Sequence, residues 1–221
     1  MKVGIIGAGN VGTGIGRHLA AKGHEITVSF SKTPEALDEA AAIIGAGAKP
    51  GSVEQAVAHG DVVLLATPWG VTLETVRGLA TKLAGKILWD TTNPLKADMS
   101  GLQIGTDTSG GEEVAKAAPG ALVVKAIAPF AEVLHSASTL IAGMKPSVFV
   151  CGDDAGARTT VLSLVNDLDA GGVDAGPLSL ARYTEPAGML MVQLAYMNGF
   201  GARIASVLIQ DKPLLENKER K

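Results

Sequence analysis

The chain has 221 residues, 47% of them hydrophobic and 19% charged, with a formal net charge of −3. Such a chain can bury a substantial core in one large domain, or in one domain with a small appendage, and is too apolar to be disordered. The only basic block is the short tail "ENKERK", so nucleic acid and anionic membrane are not expected partners; the single cysteine, Cys151, rules out an intramolecular disulfide or an all-cysteine zinc cluster and fits a reducing, cytoplasmic setting.

"KVGIIG" predicts a first strand, and its glycines interrupt the apolar run before a signal-peptide core forms. "NVGTGIGRHLAAKG" predicts a helix closed by Gly23, "EITVSF" a second strand, and "TPEALDEAAAII" a second helix with Thr33 as N-cap and Pro34 in its first turn. A short third strand is expected near "GAKPG", then a short helix in "SVEQAVAHG" and a fourth strand in "DVVLLAT". One helix is expected over "GVTLETVRGLATKLAG", a fifth strand in "KILWDTT", a helix in "SGGEEVAKAAPG" and a strand in "ALVVKAI". Continuous apolar strands separated by helices imply a Rossmann-type, doubly wound parallel sheet covered on both faces.

The rhythm changes near residue 140. That predicts a Rossmann domain over 1–140 and a small C-terminal domain over 141–221. In the latter, "SVFVCGD" and "GGVDAGPL" flank a helix, and a long apolar helix or helix pair starts near Ser179. Gln193, Asn198 and Arg203 interrupt that segment, which reads as buried helix and not as a membrane span. The tail after Asp211 is expected to fray.

"GAGNVG" places Gly7, Gly9 and Gly12 in the G-x-G-x-x-G pattern between a strand and a helix. Gly7 permits the tight turn, Gly9 lets the backbone approach a pyrophosphate held at the helix N-terminus, and Gly12 lets helix pack on strand. An NAD-binding chain carries an acid about 20 residues on, for the adenosine ribose. Here the tip reads Ser29-Phe30-Ser31-Lys32, which offers hydroxyl and cationic donors to a 2′-phosphate. NADP(H) is therefore the expected cofactor. Glu25 lies at the far end of the strand and Glu35 inside the next helix, so neither replaces the missing acid.

The stretches "GAGNVG", "ATPW", "TTNPL", "ALVVKAI", "VCGDDAGAR" and "VDAGPLSLARYTEP…NGFG" occur in this order. With them the chain resembles the NADP oxidoreductases that use the deazaflavin coenzyme F420, and the cytosolic reductase domain of the STEAP metalloreductases, from Met1 to about Gln210. The resemblance implies a homodimer that exchanges hydride between NADP(H) and a deazaflavin or flavin in the cleft between two domains. It implies Gly9, Asn10 and Val11 at the pyrophosphate, Ser31 and Lys32 at the 2′-phosphate, and Thr67 and Pro68 beside the nicotinamide. The chain departs from the pattern at Ile127-Ala128-Pro129, where a His-Thr or Asn-Thr pair is usual. Ala128 there leaves room for a second ring. Phe30, larger than usual at its position, either stacks on adenine or packs under the strand.

Other residues admit a plain reading beside a functional one. Thr67-Pro68-Trp69 ends the fourth strand where ligands bind in such sheets, or merely stops it. Asn93 holds a nicotinamide ribose or carboxamide, or caps the turn before Pro94. Asp90 is expected to be a buried acid with local partners, His135 a surface histidine and Cys151 an inert thiol. Arg182 and Glu185 pair on one helical face, or Arg182 reaches a partner subunit. No catalytic acid or base is assigned, with His135 and Asp90 the nearest to one. Metal-ligand spacing is absent among the histidines. Two alternatives to the deazaflavin or flavin reductase remain: an imine or 3-hydroxy-acid reductase, and a non-catalytic module that senses NADP(H).

Overall fold

Alternation along the apolar strands divides the core into two layers. The computed structural model describes residues 1–211, and the tail expected to fray lies outside the described residues. Strand β1 (Lys2–Ile6) is buried after its first residue and β4 (Val62–Leu65) along its whole length. Ile5, Val62 and Leu64 join one hydrophobic cluster, while Ile6, Val63 and Leu65 join the other, as the two-residue period of a strand requires. Helices α1 (Asn10–Ala21) and α2 (Pro34–Ile44) supply Ile15, Leu19 and Ile44 to the first layer; α3 (Val53–His59), α4 (Trp69–Gly78) and α5 (Ala80–Leu83) supply Val57, Val76 and Leu83 to the second.

With β2 (Glu25–Ser29), β3 (Lys49–Pro50), β5 (Ile87–Asp90), β6 (Leu122–Lys125), β7 (Ser147–Gly152) and β8 (Gly171–Gly176), one eight-stranded sheet forms in the order β3-β2-β1-β4-β5-β6-β7-β8. Pro50, which cannot donate to a ladder, sits in the edge strand. The chain winds outward from β1 to β3 and crosses back to β4. The crevice at the carboxyl ends of β1 and β4 is therefore the switch point where such sheets bind ligands. Strands β3 to β6 are parallel.

Three elements, β7, the helix after Trp69 and the final helix, differ from the sequence-based expectations. Strand β7 runs antiparallel to β6, with Lys125 opposite Cys151, and β8 runs parallel to β7. The residue-140 boundary falls between α7 (Ala131–Leu134) and β7, yet the sheet continues across it. The helix expected after Trp69 breaks at Leu79, next to Gly78, into α4 and α5. The long final helix is also shorter than its apolar pattern suggests. After a 3-10 turn, α9 (Ala181–Val192) runs into a π-helical turn over Gln193–Met197, and Gly199 and Gly201 at φ +77° and +74° end it. The chain then returns along the start of β7, where Ser147 N donates to Ser206 O and Leu208 N donates to Ser147 Oγ. Among the described residues no helix is long and apolar enough to cross a membrane.

Candidate active site

The glycine turn joins β1 to α1 and is stitched to the tip of β2: Gly7 N donates to Ser29 O and Ala8 N to Phe30 O. Gly7 has φ +125°, and a Cβ there would strike the Ala66 carbonyl; a Cβ on Gly12 would strike the carbonyl of Gly7. Those two glycines are demanded by the protein's own packing. Gly9 is not, because a Cβ there meets nothing within 4 Å. The open space beside Gly9 is what a close-approaching ligand needs.

The helix ends reinforce this. Thr33, Ser52, Ser109 and Asp154 cap α2, α3, α6 (Gly110–Ala117) and α8 (Ala155–Asp167) with their side chains. Helix α1, like α4, α5, α7 and α9, has no side-chain cap, and it has no acid in its first turn. Its leading N–H groups remain available to an anion, and a dinucleotide pyrophosphate fits that requirement at Asn10 and Val11.

A cavity of about 460 Å³ beyond the tip of β2 is bounded by Phe30, Ser31, Lys32, Thr33, Gly51 and Ser52. Ser31 and Lys32, the two donors expected at a 2′-phosphate, are exposed there. Ser29 does not join them. It is fully buried as the last residue of β2, a strand covered on both faces, and its hydroxyl donates to Ile5 O on β1 at 2.7 Å. Phe30 is not packed under the strand; it borders the cavity with φ +64°, a left-handed conformation that costs a non-glycine residue of order 1–3 kcal/mol.

A larger cleft of about 760 Å³ opens at the carboxyl ends of β4, β5 and β6, and brings together Val11, Thr67, Pro68, Asn93 and Ala128. Thr67 Oγ1 lies 2.9 Å from Thr72 Oγ1, so this residue is fixed by the first turn of α4. Ala128 N donates to Thr91 Oγ1. Asn93 Nδ2 donates to Glu185 O on α9, against which Gly188 packs so closely that a Cβ would lie 3.0 Å from that nitrogen. Asn93 thus ties β5 to the helical wall, and its Oδ1 is buried without a hydrogen-bond partner among the described residues.

Several cleft residues lay outside the sequence reading. Phe130 and Tyr196 meet edge to face, with centroids 5.7 Å apart, and Tyr196 Oη donates to Glu132. Burial, and then the Glu132 carboxylate, raise the Tyr196 pKa. Ile204, Ala205 and Ser206 of the returning chain complete the wall. The strongest missed signal was Lys125, a lysine within the apolar run "ALVVKAI", directly opposite Asp90 in the sheet. Its ammonium is fully buried, 2.9 Å from Asp90 Oδ2 and 3.0 Å from Glu185 Oε1. Asp90 Oδ1 accepts from Thr92 N and Thr92 Oγ1, and Glu185 accepts from Gly110 N and Gly111 N at the start of α6. Burial opposes the charge on Lys125, but the two carboxylates outweigh it and raise its pKa.

This network corrects the expected Arg182–Glu185 pair. Glu185 points inward to Lys125, while Arg182 forks onto Glu112 of α6 at 2.6 and 2.8 Å. Asp90 has the local partners expected of it and does not line the cleft. His135 is exposed and does not line it either; its Nε2 bonds the Asn10 carbonyl at 2.8 Å. Burial pushes the Cys151 thiol up to about 11. Among the described residues, no group of three or more His, Cys, Asp or Glu is placed to hold a metal ion.

Residues 2–94 match the family model described as NADP oxidoreductase, coenzyme F420-dependent. Over 228 aligned residues the chain is 30% identical to the F420-dependent NADP reductase of Methanocaldococcus jannaschii, spanning 95% of this chain and 100% of that protein. The chain belongs to this family. It is an NADP-dependent oxidoreductase, which removes the non-catalytic sensing module as an alternative. A crystal structure from Arthrobacter sp. FB24, given as a candidate F420-dependent NADP reductase, superposes with a TM-score of 0.82 at 27% identity, over 95% of this chain and 100% of that one. Metalloreductase STEAP3 of Rattus norvegicus is 29% identical over 187 residues, which is 83% of this chain and 36% of that protein.

Proposed function

We propose that this oxidoreductase moves hydride between NADP(H) and a deazaflavin (coenzyme F420) or a flavin, as a cytoplasmic homodimer. The observation that carries the proposal is the composition of the cleft. It reaches the cofactor turn through Val11, it is walled by Trp69, Phe130 and Tyr196, and no carboxylate or imidazole side chain lines it among the described residues. When bound, the nicotinamide supplies a hydride that a deazaflavin accepts at C5 or a flavin at N5. The protein then has to orient two rings and exclude water. Val11 and the α1 N-terminus would hold the pyrophosphate, Thr67, Pro68 and Asn93 would border the nicotinamide, and Ala128 would leave space for the second ring.

Tyr196 favours one second reading. Its phenol lines the cleft on the C-terminal helical segment, where an imine or 3-hydroxy-acid reductase would need a proton donor. Single-turnover hydride transfer from 4-deuterated NADPH separates the two. In Tyr196→Phe, a loss below about tenfold, roughly 1.4 kcal/mol, is expected for transfer to a deazaflavin or FMN. A thousandfold loss, with NADPH affinity unchanged, would put the proton-coupled reductase first.

The homodimer rests on exposed apolar side chains at the C-terminal end. Leu190, Met197, Phe200 and Ile209 are 59%, 51%, 68% and 77% exposed, more than one small region leaves to water without reason. Met189 is instead buried in its own subunit. A dimeric mass by light scattering at micromolar concentration is expected; a monomeric mass rejects the dimer.

A further inference from the structure

We propose that Lys96 selects the second substrate by pairing with an anionic group on it. The inference rests on the proposed ring-accepting role of the large cleft. Lys96 is the one charged side chain lining that cleft among the described residues. No carboxylate lies within ion-pairing distance of its ammonium among them. The other polar side chains of the wall are largely committed to the protein. Thr91 accepts from Ala128 N, Thr92 donates to Asp90, Gln103 donates to Leu95 O, and Ser147 accepts from Leu208 N. A ring entering the cleft meets apolar surface, and surface of that kind discriminates poorly between similar rings. Asn93 Oδ1 and Thr184 Oγ1 are also without partners among the described residues, but they are neutral and buried, and Lys96 is the charged group of the wall.

The backbone that carries Lys96 is fixed. Its N–H donates to Gly101 O and its carbonyl accepts from Met99 N, closing a tight turn just after β5. Gln193 Nε2 donates to Met99 O, which fastens the same turn to the π-helical wall. Lys96 follows Asn93 by three residues, and three residues span at most about 10 Å. The chain between them turns, with Leu95 N donating to Asn93 O, so both residues line one stretch of the same cleft wall. An anionic substituent on a ring held beside Asn93 therefore falls within reach of the ammonium on its flexible four-carbon stem. An uncharged analogue fills the same cleft without that contact.

FMN and riboflavin differ only by a phosphate and separate the charge from the ring. Their dissociation constants for the protein saturated with NADP⁺ are to be measured by quenching of flavin fluorescence, at low salt. The wild type is expected to bind FMN about fivefold more tightly than riboflavin, the worth of one partly exposed charge pair. Lys96→Gln is expected to bind both equally, and Lys96→Glu to prefer riboflavin, with riboflavin affinity unchanged in Lys96→Gln. Raising the salt should erase the wild-type preference. Equal binding of both flavins by the wild type, or a preference that survives Lys96→Gln, overturns the assignment and leaves the ring-accepting cleft standing. Failure of both flavins to bind overturns the two together.

Discussion

The two cavities are built in opposite ways. The small one draws on three short stretches close in sequence: the tip of β2, the start of α2 and the loop before α3. The large one gathers residues from Val11 to Ser206, delivered by strand ends, loops, a helix and the returning chain. The small cavity sets Lys32 and the hydroxyl side chains of Ser31, Thr33 and Ser52 among apolar neighbours, and so offers donors to a phosphate. The large one is apolar and suits a ring. A recognition site for a fixed group can be written into one supersecondary unit, whereas a site for a variable partner needs surfaces brought together by the whole fold.

Lys125 gives the sharpest way to break that comparison. Its network joins β5, β6, α6 and α9, all behind the large cleft. Lys125→Met leaves two buried carboxylates without their cation and is expected to destabilise the fold by about 3–5 kcal/mol. Denaturant melts would show it, and a midpoint within error of the wild type would contradict it. The raised pKa of Lys125 also sets a direction with pH. The stabilisation is complete below the unfolded lysine value near 10.4 and is lost as pH rises through the higher folded value.

The glycine turn tests the other cavity's side. Gly12→Ala forces a Cβ into the Gly7 carbonyl and is expected to cost several kcal/mol, at the upper end of single-residue effects. Gly9→Ala meets no protein atom. It should melt like the wild type while losing tenfold or more in NADP⁺ affinity by calorimetry. If both variants melt alike, the division between structural and ligand-facing glycines fails. At the far end of the dinucleotide, charge-assisted contacts to phosphate contribute roughly 1.5–3 kcal/mol each. Titration should therefore show at least a tenfold preference for NADPH over NADH, largely abolished in Lys32→Asp.

The smallest expected effect lies at the surface of α6 and α9. The Arg182 guanidinium, against a smaller opposing effect of burial, holds the Glu112 carboxyl below the usual range. A lowered carboxylate pKa stabilises above the unfolded value near 4.3, and the gain disappears as pH falls through the folded value. The pair is partly exposed, so Arg182→Gln should cost under about 1 kcal/mol at pH 7. The gap to the wild type should close toward pH 3. A gap that widens in acid would show that the pair is not the cause.

The sequence made the small cavity far more legible than the large one. "GAGNVG", the missing acid and Lys32 are local signals, and Ser29 misled only because the strand ends one residue before the exposed tip, which leaves Ser29 in the core and Ser31 and Lys32 outside it. Thr67, Asn93 and Ala128 were recognisable as strand-end residues. Tyr196, Lys96 and Ile204 were not, because nothing nearby in the sequence says which wall they will join. The parallel sheet followed from the alternation of apolar runs and helices. The reversed direction of β7 did not, since an apolar run reads the same both ways.

The returning chain fixes the order in which this enzyme can be made. Residues up to Ser52, which complete the phosphate cavity and the glycine turn, leave the ribosome early, and domains form from the N-terminus as they emerge. Ile204, Ala205 and Ser206 emerge much later, yet they line the wall of the large cleft, and Ser206 is bonded to the start of β7. A nascent chain that has not yet added them lacks that part of the wall around Trp69, Phe130 and Phe149. Until the returning segment is made, the apolar surface of the cleft stays open on that side, and transiently open surface of that kind invites aggregation.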